Sequence, residues 1–534
     1  MRKLSILVFA LAILPSVTFA PAKLMSPAGS QSCEKLAQLM LPHAKVTMAQ
    51  TVTAGGFSQE PLFKAAPAFC RVAAQSSPSA DSYIKNEIWL PRSGWNGKFQ
   101  AQGNGGFAGS IDYPGMAAAV MNGFATAATD TGHSADEVDA RWALGHPEKI
   151  ADFGYRAIHE MTAAAKTAIQ AFYGTTPRYS YFAGCSNGGR QALMEAQKYP
   201  NDYDGILAGA PANFWTHLLT NALWNVQALT LDAASYIPSR KLPALAKAVN
   251  DACDAQDGVA DGILNDPRKC RFDPAVMLCK GADSDSCLTA PQITSLKKLY
   301  GGAKDSRGRL LFPGYLPGAE TGENGWATWI TGRTPEESLL FQFGNGFFAD
   351  MVYSSAAWNY RDAKIDDAVK AADQKLADVL NATNPDLWAF RNHGGRLIVY
   401  HGWDDPAIPA LNTVNYYQSV VKAMGKENVV SFSRLYMLPG IQHCGGGPGP
   451  APFSSLTRST VQNNDAQHSF FLALEAWVEK GQAPFQIIAT KFSGDDATKG
   501  IQMTRPLCAY PAAAQYKGHG DTNDAANFFC VAPK

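Results

Sequence analysis

Residues 179–199 read YSYFAGCSNGGRQALMEAQKY, and Pro200 follows. Tyr179 to Ala183 is a short apolar run with the character of a buried strand. Gly188 to Tyr199 has the spacing of a helix that the proline ends. Between them lies Gly184-Cys185-Ser186-Asn187-Gly188, a G-x-S-x-G segment. A strand that turns at once into a helix forces the middle residue onto a sharp bend and lifts its hydroxyl above the strand end. Glycines flank it because a larger side chain would clash in so tight a turn. Ser186 is therefore the candidate nucleophile.

Working outward, the same alternation recurs. Ala68 to Leu90 is strand-like, and Lys98 to Gly109 reads as a strand entering a Gly-rich turn. Gly123 to Asp130 is another buried strand, Tyr155 to Tyr173 a helix, and Gly205 to Gly209 a further strand. Strands alternating with helices predict a parallel sheet covered on both faces. From about Asn213 this pattern stops, giving way to helical stretches, Gly/Pro-rich connectors and many aromatics. It returns at Gly395–Gly402 (GRLIVYHG), with Val429–Pro439 read as a strand and His468–Lys480 as a helix. The reading is an α/β domain, residues 23–212 and 384–534, interrupted by a lid domain at 213–383.

Composition narrows the setting. The 534 residues carry 46 Lys+Arg against 46 Asp+Glu, so there is no basic excess of the kind that phosphate contacts demand. With 46% hydrophobic and 17% charged residues, the chain can bury a large core. At the N-terminus Arg2 and Lys3 precede the apolar run Leu4–Leu14, and Ala20-Pro21-Ala22 fits a cleavage site that leaves Lys23 first. Residues 1–22 thus read as a signal peptide, and the run is too short to span a bilayer. A secreted or periplasmic protein with neither nucleic-acid nor membrane partners is expected.

A serine hydroxyl needs a base to take its proton. On the α/β-hydrolase fold the chain order is Ser, acid, His. Among the histidines that follow both Ser186 and the late strand are His443 and His468. His443 lies in the turn GIQHCGGG and is the candidate base, whereas His468 opens a helix. The acid belongs a few residues past the strand RLIVYHG, which selects Asp405 and leaves Asp404 as a turn former. The oxyanion requires backbone N–H groups. One comes from Asn187, and the other from Gly106 in the Gly103-Asn104-Gly105-Gly106 loop.

Ten cysteines, an even number, fit an oxidising compartment. Cys185 adjoins the candidate nucleophile and Cys444 the candidate base, so bringing Ser186 to His443 makes the two cysteines plausible disulfide partners. Together, Cys185-Ser186, Asp405 within HGWDD, and His443-Cys444 within PGIQHCGGGPG resemble the tannase and feruloyl esterase family of α/β-hydrolases, over nearly the whole mature chain. The resemblance implies the further bonds Cys33–Cys70, Cys253–Cys270, Cys279–Cys287 and Cys508–Cys530. Asp254, Asp257 and Asp261 place three carboxylates within eight residues, a spacing unlike an EF-hand. By the same resemblance this is a structural Ca²⁺ loop of the lid, with ligands from those side chains and from the Val259 and Ile263 carbonyls.

The function implied is hydrolysis, through an acyl-enzyme, of esters of hydroxycinnamic or hydroxybenzoic acids, as small esters or phenolic-decorated polysaccharide. Trp329 and Phe343, among the lid aromatics, and Ile408 after the acid are the candidate substrate contacts. Galloyl-ester cleavage and terephthalate half-ester hydrolysis are rivals within the class, and a non-catalytic binding protein on the same scaffold is a remote one. The resemblance implies that a half-ester is gripped through its free carboxylate by an arginine of the lid. Ser338–Val352 holds no Arg or Lys, which leaves Arg333 as the nearest candidate.

Overall fold

The computed structural model describes residues 31–451 and 465–532, so the signal peptide expected at 1–22 lies outside the described residues. Ten strands form the central sheet: β1 Met40–Leu41, β2 Ala44–Val52, β3 Phe69–Ser76, β4 Ile84–Pro91, β5 Lys98–Gln102, β6 Ala125–Thr129, β7 Tyr179–Cys185, β8 Gly205–Gly209, β9 Arg396–Gly402 and β10 Ser433–Leu438. Their order is β1-β2-β3-β4-β6-β5-β7-β8-β9-β10. The first four pair antiparallel, β4 joins β6 antiparallel, and from β6 to β10 every pairing is parallel. The strand bearing Ser186 therefore lies inside the parallel region.

Parallel strands are covered on both faces, so their side chains are apolar throughout. Phe182, Ile206, Ala208, Leu397 and Val399 pack with residues of helices Ala157–Tyr173, Asn187–Lys198 and Leu411–Met424. The alternate positions Tyr181, Ala183, Leu207, Ile398 and Tyr400 pack with residues of helix Phe470–Lys480. This is the period of two that a pleated strand imposes. The result is the mixed α/β architecture of the α/β-hydrolases. One expected strand differs: Val429–Phe432 belongs to a short helix, Lys426–Phe432, and the strand begins at Ser433. The β-branched pair Val429-Val430 imitated a strand, but Val429 and Phe432, three apart, bury on one helical face.

No described residue between Gly209 and Arg396 enters the central sheet. This insertion is built around helix Trp215–Thr230. Trp215, Leu218, Leu219 and Val226 pack toward Phe347, Phe348 and Leu376, and also toward Phe107 and Ile408 of the sheet loops. Ala222 and Leu229 face a second cluster with Leu245, Leu296 and Trp326. After helix Phe470–Lys480 come two antiparallel hairpins, Gln486–Phe492 with Ile501–Cys508 and Ala513–Tyr516 with Phe528–Val531. Among the described residues no helix is long and apolar enough to cross a membrane.

Candidate active site

Ser186 sits on the bend between β7 and helix Asn187–Lys198 with φ 64° and ψ −122°, a conformation that ordinary residues avoid. Its N–H donates to the Gly209 carbonyl at 3.0 Å, and its carbonyl accepts from Ala212 N–H at 3.1 Å. The motif's glycines are required by contact: a Cβ on Gly184 would lie 2.5 Å from the Gly188 backbone. As the first helical residue, Asn187 has an N–H that no carbonyl of its own helix reaches.

Asp405 and His443 meet as the sequence suggested. Asp405 lies past β9, His443 past β10, and His443 Nδ1 is 2.8 Å from Asp405 Oδ2. Asp405 is fully enclosed yet well satisfied. Its Oδ1 accepts the Ala407 and Ile408 N–H groups at 2.8 and 2.9 Å, and His401 Nε2 lies 3.0 Å from Oδ2. Burial alone would raise this carboxyl, but the two histidines outweigh it and hold it below the usual carboxylate range. His401 was not singled out from sequence. It is the penultimate residue of β9, ahead of the acid, and its place four residues before Asp405 is the signal that marks it.

Asp404 lies in the turn after β9, as the sequence suggested, but its side-chain Oδ1 does not bond that turn. It is 2% exposed, and its Oδ1 has no hydrogen-bond partner. Burial, together with Glu320 of the insertion, pushes its carboxyl well above the usual range. The two adjacent acids are thus shifted in opposite directions, because four donors surround one, while the other is buried beside a second acid.

Ser186, His443 and the Cys185–Cys444 disulfide line one cavity of about 250 Å³. The disulfide holds the Cα atoms of Cys185 and Cys444 6.0 Å apart and joins the segments that carry serine and histidine. The other four bonds are Cys33–Cys70, Cys253–Cys270, Cys279–Cys287 and Cys508–Cys530, as the resemblance implied. Gly106 lines the cavity with φ 49°, and its neighbour Phe107 donates to the Glu137 carbonyl at 2.7 Å. Trp329, Phe343 and Ile408 all line it too. The Trp329 and Phe343 rings lie 13° from parallel at 6.1 Å, while Trp329 meets the His443 ring edge-on at 5.0 Å. The Trp329 indole donates to Asn324 Oδ1 at 2.7 Å, and Asn324 Nδ2 donates to the His443 carbonyl at 3.0 Å.

No Lys or Arg is among the described residues lining this cavity, and Glu137 is. Arg333 points elsewhere: it is 91% exposed and pairs with Glu337. His468 pairs with Asp465 and takes no part. Beyond His443 lies a second cleft of about 730 Å³ whose mixed lining includes the polar residues Asn250, Thr321, Glu323, Asn324, Gln442 and Asp495.

In the insertion's acidic loop, Asp254 accepts the Gly262 N–H at 3.0 Å, and Asp257 accepts those of Val259 and Asn265 at 3.0 and 3.1 Å. Asp261 accepts the Ile263 N–H and pairs with Arg505 at 2.9 Å. The donor set, three carboxylates on one tightly wrapped loop, has the chemistry of a hard divalent cation site. The three carboxylates do not converge to within 4.8 Å, and an ion would compete with Arg505 for Asp261.

The sequence model of tannase and feruloyl esterase matches residues 70–531. An uncharacterised esterase of Xanthomonas campestris is 41% identical over 96% of this chain and 93% of its own. The mono(2-hydroxyethyl) terephthalate hydrolase of Piscinibacter sakaiensis is 35% identical over 88% and 86%. The crystal structure of feruloyl esterase B from Aspergillus oryzae superposes with a TM-score of 0.85 at 30% identity, over 93% of this chain and 99% of that one.

Proposed function

The chain belongs to the tannase and feruloyl esterase family, and from that premise we propose an exported serine esterase that cleaves esters of hydroxycinnamic or hydroxybenzoic acids. Membership makes it a carboxylic ester hydrolase. The observation that carries the mechanism is the Asp405–His443 hydrogen bond at a cavity whose lining also includes Ser186 on its strained turn.

Asp405, held as an anion, keeps His443 in the tautomer with hydrogen on Nδ1 and leaves Nε2 free as the base. His443 takes the Ser186 proton as Oγ attacks the ester carbonyl. The Asn187 and Gly106 N–H groups receive the oxyanion of the tetrahedral intermediate. Collapse expels the alcohol, which His443 protonates, and water then releases the acid from the acyl-enzyme by the same route. Preorganised donors cost no reorganisation during reaction, which suits a turn fixed by backbone contacts on both sides.

The stacked Trp329 and Phe343 rings, with Leu218, Leu219 and Ile408, offer faces for a flat phenolic ring. Glu137, unopposed by any cation in the described lining, disfavours an anionic acyl group and so argues against a terephthalate half-ester. The polar residues of the cleft beyond His443 suit a hydroxylated alcohol, such as a sugar, better than an alkyl chain. Five disulfides support export, since such bonds persist in oxidising compartments. The acidic loop holds a structural Ca²⁺ in this reading, with Asp254, Asp257, Asp261 and the Val259 and Ile263 carbonyls as ligands.

The test is turnover of methyl ferulate, methyl gallate and mono(hydroxyethyl) terephthalate by enzyme recovered from periplasm or medium, where it should begin at Lys23. Ferulate or gallate is expected to lead, and Ser186→Ala to abolish turnover. Preference for the terephthalate half-ester would overturn the acyl reading. Retained activity in Ser186→Ala would overturn the mechanism.

A further inference from the structure

Two consecutive side chains of helix Asn187–Lys198 have no task in this mechanism, yet both are buried and polar. Arg190 is fully enclosed, and no ion pair is recorded for it among the described residues. Its Nε donates to Asn187 Oδ1 at 2.9 Å, and its two Nη atoms donate to the Gly154 and Phe153 carbonyls at 2.7 and 2.9 Å. The guanidinium also lies over the Phe153 and Trp215 rings, at 4.6 and 5.1 Å from their centroids. Gln191, 2% exposed, clasps Asn104 instead. Its Oε1 accepts the Asn104 N–H at 3.0 Å, and its Nε2 donates to Asn104 Oδ1 at 3.1 Å.

Asn104 passes the connection on. Its own Nδ2 donates to the Ser110 and Thr129 carbonyls, both at 2.8 Å. Ser110 closes the loop that contains Gly105 and Gly106, and Thr129 ends β6. The loop also lies hard against the elbow: a Cβ on Gly103 would stand 2.8 Å from the Gly188 Cα and 3.0 Å from Gln191 Oε1. Burying a guanidinium and an amide here costs desolvation that apolar residues of equal size would avoid. The helix needs neither group for its own hydrogen bonds.

What needs them is the separation of two backbone donors. Asn187 and Gly106 lie on segments remote in sequence, so covalent geometry does not set the distance between their N–H groups. Donors act on an oxyanion only at about 2.7–3.1 Å, so a small shift of either half forfeits the effect. We infer that Arg190 and Gln191 are the positioning residues of the oxyanion hole, Arg190 fixing the Asn187 half and Gln191, through Asn104, fixing the Gly106 half. The inference rests on the oxyanion roles proposed above.

Gln191→Met keeps length and helix propensity while removing both bonds to Asn104. Asn187→Ala keeps the backbone donor but unties it from Arg190. In each, kcat on methyl ferulate should fall about 10- to 100-fold, less than the roughly 10²–10³ of deleting a donor outright. KM should stay within about twofold, because ground-state binding of the neutral ester draws little on the oxyanion hole. The rate of Ser186 labelling by a fluorophosphonate should fall with kcat. An unchanged kcat in either variant, or a loss of kcat/KM carried by KM, would overturn the inference. Wild-type enzyme that resists the fluorophosphonate would instead break the serine reading on which it stands.

Discussion

On the sheet side of the cavity each reacting group is tied by several bonds, whereas on the insertion side the rings that face it are tied by few. Asp405 is met by two backbone N–H groups and two histidines. His443 is held by Asp405 through its ring and by Asn324 through its carbonyl. Across the cavity, Trp329 has one recorded side-chain hydrogen bond, and Phe343 is fixed by ring contacts with Trp329 and Phe107. Hydrogen bonds fix angles and distances, while ring contacts fix them loosely. One wall is therefore built to hold a reaction geometry, and the other, apart from Asn324 and its bond to His443, can change its residues with less effect on it.

The largest effect that would test this contrast is at Asp405. Asp405→Asn should cut kcat about 10⁴-fold with KM little changed, because an amide favours the wrong tautomer of His443 while leaving the cavity in place. A loss of tenfold or less would mean that His401 or the backbone donors matter more than the anion. On the opposite wall, Phe343→Ala should raise KM for methyl ferulate and spare kcat. Losing the ring's burial and its stack costs about 2 kcal/mol, or about 30-fold in kcat/KM. A fall in kcat instead would show that the insertion side also takes part in the transition state, and the contrast would fail.

The same division explains what could be read from sequence. The strands Gly205–Gly209 and Arg396–Gly402 were legible because strands buried on both faces leave uninterrupted apolar runs. Ser186, Asp405 and His443 were legible because the turn chemistry of each loop and the chain order left few choices. Asp404 was not. Side by side in sequence with Asp405, it differs only in what folds around it, and Glu320 comes from the insertion, far away along the chain. Gln191 and Arg190 were hidden for the same reason: each reads as an ordinary helix-surface residue until the loop at Asn104 and the helical segment at Phe153 close over it. Among the many insertion aromatics, spacing could not separate cavity from core. Trp326 and Phe348 are core, and only the fold places Trp329 and Phe343 against the reacting groups.

The smallest effect on catalysis, and the sharpest test of the division, concerns the acidic loop. It lies outside both walls, cross-linked by Cys253–Cys270 and joined through Asp261 to Arg505 of the C-terminal hairpin. An ion there would stabilise the native chain by binding it and not the unfolded one, by about 4 kcal/mol at a thousandfold excess over its dissociation constant. In a chain this long each kcal/mol moves the melting temperature by about 2–4 °C at most. Prolonged chelation should therefore lower the melting temperature by several degrees, and added Ca²⁺ should restore it. At 25 °C kcat/KM should stay within about twofold, since among the described residues no hydrogen bond joins the loop to Ser186, Asp405 or His443. Asp257→Asn should abolish the Ca²⁺-dependent rise. Metal-free protein, verified by elemental analysis, that melts where the Ca²⁺-loaded protein does would reject the ion. A loss of kcat/KM in step with Ca²⁺ removal, the fold remaining intact, would show that the loop governs the cavity and that the division between its two walls is incomplete.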